Sequence, residues 1–198
     1  FDGAWHERPP YTTNYHVARF WSHLAKSRTA DHAAAITQMA MELFGGLGFL
    51  EEYAVARWHR EALITPIWEG PANIQALDML EAITKKRAHE PFVAEITDKL
   101  HRAGTAEAQL AGEILNQTLA TQAAATDRAG AEWIAKTTLR RLADVAAVAL
   151  LYDLAQTGGE RYAKLAGLYA RHFLGNEEYP AWVSSEPALF DLVAGLHP

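Results

Sequence analysis

No cysteine occurs anywhere in the chain. Disulfides, thiolate metal sites and a cysteine nucleophile are thereby excluded, and nothing points to a small secreted scaffold. No stretch approaches the ~20 apolar residues needed to cross a bilayer. There is no basic excess either. The formal charge is −6, with 9 basic and 11 acidic groups in residues 1–90 and 9 and 13 in residues 91–198. That balance disfavours a general nucleic-acid binder held by phosphate contacts. The first residues, FDGAWHERPPY, have the features of neither a signal nor a transit peptide, so the cytoplasm is the expected location. They also lack an initiator methionine, which raises the expectation of a fragment or processed chain. The period-two alternation of a half-buried strand is missing throughout, and the expected class is all-α.

What is present is an ordinary globular composition, 49% hydrophobic and 21% charged over 198 residues, enough for a packed core. Residues 1–13, with Pro9-Pro10, read as a linker. From Asn14 to Phe44 neither Pro nor Gly interrupts, and Val17, Phe20, Trp21, Leu24, Ala35, Ile36, Met39 and Leu43 recur at helical spacing. Gly45-Gly46-Leu47-Gly48 ends that helix. Residues 51–60 are expected to be partly helical, and Ala62 to Trp68 an extended connection. The next helix is expected from Gly70-Pro71 to about Lys86, with Ile74, Leu77, Leu80 and Ile83 as its apolar positions. Pro suits a first turn, and Lys85-Lys86-Arg87 suit the negative end of the dipole. A short helix from Pro91 to about Ala103 follows. Beyond Thr105 the chain is rich in Ala, with long helices expected over 105–127 and 130–157 and another over 160–173. In the second of these, Ile134, Leu142, Val145, Ala149 and Tyr152 share a face. A loop over 176–185 and a last short helix after Pro187 complete the reading. The domain division is 1–13, 14–90 and 91–198.

The stretch ITPIWEGPANIQ, residues 64–75, places Glu69 among Ile64, Ile67 and Trp68 directly before a helix start. An acid there complements the helix dipole, by typically ~0.3–1 kcal/mol. It is also where a base needing an apolar setting would sit. Upstream, Phe44-Gly45-Gly46-Leu47-Gly48-Phe49 is a glycine turn. Glycine permits positive φ and lets a ligand approach the backbone, although a helix C-cap alone also calls for it. The nine histidines form no His-Glu-x-x-His or other metal pattern, so no metal ligand is assigned. Most, including His16, His23, His32 and His59, read as exposed or packing residues. Trp5, Trp21, Trp58, Trp133 and Trp182 read as core or interface. Arg57, His59 and Arg60 either touch a phosphate or form a solvated edge.

The two motifs together resemble the C-terminal helical domain of the acyl-CoA dehydrogenases, over roughly residues 14–90. In that family a helix ends in Phe/Leu-Gly-Gly-x-Gly-Phe/Tyr, and an Ile-(Tyr/Trp)-Glu-Gly segment then opens the next helix. Phe44–Phe49 and Ile67-Trp68-Glu69-Gly70 match both halves. The Trp and the long helical tail are also similar to a branch related to DNA-alkylation-response flavoproteins. The resemblance implies an FAD-dependent desaturation of acyl-CoA thioesters, with Glu69 as the base that removes the α-proton. It implies cofactor contacts at Gly45, Gly46, Gly48, Trp68 and Asn73, the glycine turn commonly approaching a cofactor held mainly by a neighbouring subunit. The partners implied are an acyl-CoA substrate and either further copies of the chain or the family's N-terminal and β domains.

Two positions depart from the family pattern. Glu42 stands where Gln is frequent, and Pro71 where a Thr hydroxyl helps hold FAD. The family's β domain and first bundle helices have no counterpart here, so the chain is expected to be inactive by itself. The alternative reading is a non-catalytic helical interaction or oligomerisation module. A DNA-binding tail using Arg140-Arg141 and Lys85-Lys86-Arg87 is disfavoured by the net acidity.

Overall fold

A computed structural model describes residues 11–176 of the chain. The expected linker before Tyr11, Trp5, Trp182, the loop beyond Asn176 and the helix after Pro187 lie outside the described residues. Among the described residues there is no strand. Seven α-helices follow in order: α1 (Thr13–Phe44), α2 (Ala54–Ile64), α3 (Ala72–Lys86), α4 (His89–Ala103), α5 (Ala106–Ala124), α6 (Arg128–Gly158) and α7 (Glu160–Tyr169). A 3-10 turn, Gly45–Phe49, follows α1, and a π turn, Ala170–Leu174, follows α7.

The chain divides into two compact units. One takes residues up to Ala88 together with Asp127–Arg140, and the other takes His89–Thr126 together with the chain from Arg141 on. In the first unit, α2, α3 and the 3-10 turn all pack against α1. At 32 residues, α1 is about 48 Å long at 1.5 Å per residue. It is uninterrupted because no Pro or Gly falls inside it. Its polar residues do not break it either: Ser22, Thr29 and Thr37 donate to the carbonyls of Ala18, Ala25 and Ala33 in the preceding turn.

Burial on α1 is confined to its first part. Phe20, His23, Leu24, Ser27 and Ala30 are buried, whereas Ile36, Met39 and Leu43 are exposed, Leu43 by 88%. The apolar stripe read from the sequence is therefore one helix face, but only its N-terminal half is covered. α3 differs from expectation in the same way. Its buried positions are Gln75, Ala76 and Met79, while Ile74 and Leu77 are exposed. The helix is apolar on two sides, and the side carrying Ala76 and Met79 faces inward.

Two boundaries also differ. Ala62–Ile64 continue α2, and the chain then makes hydrogen-bonded turns, Thr65 N donating to Ala62 O and Trp68 N to Ile64 O. The expected extended connection over 62–68 is thus helix and turn. Its β-branched residues lower helix propensity only weakly. Pro71 is the N-cap of α3 rather than its first helical residue, and its carbonyl accepts from Ile74 N and Gln75 N.

The second unit is built from α4, α5, the latter part of α6 and α7. Phe92, Ile96 and Leu100 of α4, Ala111 and Leu115 of α5, and Leu142, Val145 and Ala149 of α6 are buried. Tyr152 is buried too, as its place on the α6 stripe implies, whereas Trp133, on the part of α6 that belongs to the first unit, is 88% exposed. Polar ties fasten these helices. Thr105 Oγ1 accepts from Ala108 N, capping α5, and donates to Tyr152 Oη at 2.8 Å. Tyr169 donates to the buried Asp144, and Arg171 grips Glu107. Asp153 takes Lys99 at 2.5 Å and Arg102 at 2.8 Å. The hydrogen bond from Lys99 comes first among the causes that hold the Asp153 carboxyl below its ordinary range.

Candidate functional site

The segment that carries Glu69 is a turn between α2 and α3, seated on the middle of α1. Lys26, Thr29, Ala30 and Ala33 of α1, with Ile64, Thr65, Trp68 and Glu69, line a cleft of about 500 Å³. Thr65 Oγ1 donates to Ala62 O at 2.7 Å and reaches Ala30 O at 3.4 Å, joining the turn to α1. Trp68 and Glu69, singled out from the sequence, thus share one concave surface.

The backbone at the acid is strained. Glu69 has φ 55°, left-handed for a residue with a side chain, and Gly70 follows at φ 91°. The left-handed conformation costs an L-residue roughly 1–2 kcal/mol. Such strain persists only where the surroundings hold it. Gly70 is the residue its place requires, since a Cβ there would come within 3.1 Å of Gln75 Nε2 as well as meeting the φ penalty. The acid is exposed, as are Ile67 (66%) and Trp68 (64%). The apolar company read from the sequence therefore does not enclose the carboxylate within the described residues. The large side chains of the turn face away from the core.

Three contacts hold the Glu69–Gly70 end of this turn. Gln75 Nε2 donates to Glu69 O at 2.9 Å, Gln75 Oε1 pairs with His23 Nδ1 at 2.8 Å, and Lys26 Nζ donates to Gly70 O at 2.6 Å. None of His23, Lys26 and Gln75 was singled out from the sequence as part of the site. One signal was there: His23 falls between Phe20 and Leu24 on the buried stripe, and Gln75 lies one position from Ala76 on the inward side of α3.

The glycine turn lies elsewhere on the same unit. From Ala33 in the cleft to Gly45 is twelve residues of α1 and its cap, about 18 Å. No described cavity contains both. The three glycines serve different ends. Gly45 ends α1 at φ 58°. Gly48 is buried, and a Cβ there would sit 2.3 Å from Met41 O, so the turn folds back onto α1 only with glycine. Gly46 is exposed, has no positive φ, and a Cβ on it would meet nothing within 4 Å. Asn73 is exposed in the first turn of α3.

Around the glycine turn, Arg60 forms an ion pair with Glu51 at 3.0 Å, and that hydrogen bond lowers the Glu51 carboxyl from its ordinary value. His59 Nδ1 pairs with Thr37 Oγ1 at 3.0 Å and ties α2 to α1. Arg57 is exposed. Its charge also helps lower the Glu51 carboxyl. Lys85 pairs with Glu81 in the preceding turn of α3. No cluster of three or more His, Cys, Asp or Glu with metal-ligand geometry occurs among the described residues. None of their helices is long and apolar enough to cross a membrane.

Comparison with known proteins bears on this arrangement. Residues 12–84 match the family model described as acyl-CoA dehydrogenase, C-terminal domain. The chain is 32% identical over 101 residues to 3-methylmercaptopropionyl-CoA dehydrogenase of Ruegeria pomeroyi, covering 48% of this chain and 17% of that protein. It is 40% identical over 80 residues to butyryl-CoA dehydrogenase of Syntrophomonas wolfei, covering 39% and 13%. It is 36% identical over 78 residues to AidB of Escherichia coli, covering 39% and 14%. The chain thus spans no more than 17% of the length of these three relatives, and the matches do not single out one branch. No solved structure matches. The matched segment takes in α1, the glycine turn, α2, the Glu69 turn and nearly all of α3, all in the first unit. Over residues 12–84, about a third of its length, this chain is similar to the C-terminal domain of the acyl-CoA dehydrogenases.

Proposed function

We propose that the chain supplies one wall of the site of an FAD-dependent acyl-CoA dehydrogenase, in which acyl-CoA thioesters are desaturated between the α and β carbons. The observation that carries this reading is the Glu69 turn: a carboxylate at the lip of an apolar cleft, beside Trp68, on a backbone held in a costly conformation. Glu69 takes the α-proton onto a carboxylate oxygen. The α-proton is weakly acidic, so the carboxylate must be close, aligned and poorly solvated. Position comes from this chain. Exclusion of water comes from whatever covers the exposed Trp68 and Glu69, the acyl-CoA itself included.

The residues fit one side of a flavin site. Gly46 presents backbone with no side chain of its own and nothing within 4 Å of where one would stand. Trp68 and Asn73 are exposed. In this reading Gly45, Gly46, Trp68 and Asn73 touch cofactor, and Gly48 seats the turn. Bound FAD supplies the acceptor for the hydride leaving the β carbon. Pro71 offers neither hydroxyl nor N–H, and Glu42 is an exposed acid near the turn, so most of the hold on FAD falls to other parts of the enzyme. The distance of about 18 Å along α1 between the cleft and Gly45 suits a turn that serves a cofactor other than the one beside Glu69. The isolated chain is accordingly inactive.

A second reading has one observation in its favour. Ile36, Met39, Leu43, Phe49 and Trp58 are large, apolar and exposed, as on a surface that meets further protein. A helical interaction module without chemistry would use that surface and leave Glu69 idle. Anaerobic mixing of acyl-CoA with the assembled, flavin-loaded enzyme containing this chain separates the two. The flavin is expected to be reduced, and Glu69→Gln to slow reduction by about 10²–10⁴-fold, the usual worth of a positioned base, with flavin still bound. Reduction at an unchanged rate in Glu69→Gln removes the assignment.

A further inference from the structure

Glu69 stands in a left-handed conformation on an exposed turn, where packing does little to hold it. What does hold it is polar. Gln75 and His23 are 8% and 7% exposed, and burying two polar side chains is costly unless each finds a partner. The direction of the chain of bonds follows from chemistry. The Glu69 carbonyl only accepts, so the Gln75 amide must turn its NH2 to it, at 2.9 Å. The oxygen end of that amide then faces His23 Nδ1, at 2.8 Å, and an amide oxygen also only accepts. His23 therefore carries a proton on Nδ1. Lys26, from the same helix as His23, donates to the adjacent Gly70 carbonyl. Two successive peptide carbonyls of the turn are thus fixed from α1, one directly and one through α3.

We infer that His23, Gln75 and Lys26 are positioning residues, a brace that holds the Glu69–Gly70 backbone in its left-handed turn and so aims the Glu69 carboxylate across the cleft. The role in aiming rests on the reading of Glu69 as the base. The brace itself is a property of this chain and is measured without any reaction. Proton transfer from carbon is sensitive to placement, and a misplacement of about 1 Å can cost about 10²-fold in rate. A carboxylate on an unbraced, exposed turn would not keep its place.

The test begins with the isotopically labelled 198-residue chain and ring nitrogen NMR of His23. Nδ1 is expected to bear the proton; an Nδ1 with a free lone pair overturns the brace. Gln75→Met and Lys26→Met are then compared through the Cα and Cβ shifts of Glu69, which report left-handed backbone. Both variants are expected to lose the left-handed signature in part, and Lys26→Arg to retain it. Lys26 lies at the edge of the cleft, so its variants remain informative even where Gln75→Met fails to fold. A Glu69 signature unmoved in Lys26→Met and in folded Gln75→Met overturns the brace. In the assembled enzyme, Lys26→Met and Gln75→Met are expected to lower kcat by about tenfold to 10²-fold with KM nearly unchanged. If the NMR signature shifts and kcat does not, the aiming role is overturned. If Glu69→Gln leaves the rate unchanged, the function reading falls while the brace stands on the NMR result.

Discussion

The three glycines of the turn after α1 allow one substitution to be tried where the fold predicts different outcomes. Gly48→Ala puts a methyl group 2.3 Å from Met41 O and 3.0 Å from Met41 C and Cα. These are backbone atoms of α1, so relief requires moving a helix or lifting the turn. Forced overpacking of this kind costs typically 1–3 kcal/mol, occasionally more, and the severity of the overlap places Gly48→Ala at or above about 3 kcal/mol. Gly46→Ala meets nothing within 4 Å and needs no positive φ. It is expected to be neutral or to stabilise by ~0.4–1 kcal/mol, by restricting the unfolded chain. Gly45→Ala has room but stands at φ 58° and ψ −140°, a region kept almost entirely for glycine, which costs roughly 1–3 kcal/mol. Urea titration followed by tryptophan fluorescence and circular dichroism reads these values. With m near ~1–3 kcal/mol/M, Gly48→Ala lowers the midpoint of the first unit by about 1 M or more, and Gly46→Ala does not lower it. The reasoning is refuted if Gly46→Ala is as destabilising as Gly48→Ala, or if Gly48→Ala is neutral.

Leu24→Ala is expected to cost about 2–5 kcal/mol, because Leu24 is 1% exposed, whereas Leu43→Ala, at 88% exposure, changes chain stability by less than about 0.5 kcal/mol; equal midpoints in urea would contradict the burial of one side of α1. Glu69→Gly removes the left-handed penalty and is expected to raise stability by up to about 1 kcal/mol, net of glycine's greater unfolded-state entropy, while destroying any base; a loss of stability would show that the side chain contributes more than its backbone costs. Burial raises the Tyr152 phenol above its ordinary value near 10. A raised folded value means the unfolded chain loses its proton first, so this contribution is complete below pH ~10 and is lost as pH rises through the folded value. Tyr152→Phe should flatten the fall in stability across that window, and an unchanged alkaline slope would contradict it.

The sequence made α1 legible to within one residue, because the run from 14 to 44 contains no helix breaker and Gly45 takes a positive φ, at φ 58° and ψ −140°, that only glycine adopts readily. The all-helical class followed from the same periodicity. Which face is covered was not legible. Ile36, Met39 and Leu43 continue the stripe begun by Phe20 and Leu24, and periodicity cannot say where a neighbour stops. On α3 the apolar spacing pointed to Ile74 and Leu77, but the inward side carries Gln75, Ala76 and Met79, because Met79 fills the core and the Gln75 amide is satisfied by His23 and the Glu69 carbonyl. The 62–68 segment was misread as extended, although its turns are set by local backbone bonds. Trp68 and Glu69 were found through their motif. The contacts that hold them were not, because His23 and Gln75 lie 52 positions apart and nothing local marks them as partners. The glycine motif read as a unit resolves into three separate requirements, of which only that at Gly46 is left to something outside the chain's own packing.

The most direct test of the central claim is α-proton exchange. The assembled enzyme containing this chain is incubated with an acyl-CoA in heavy water, and deuterium at the α carbon is followed by mass spectrometry. The account predicts incorporation by the natural sequence and a fall of about 10²–10⁴-fold in Glu69→Gln. Equal incorporation in the two would show that Glu69 is not the base and that the braced turn serves another purpose.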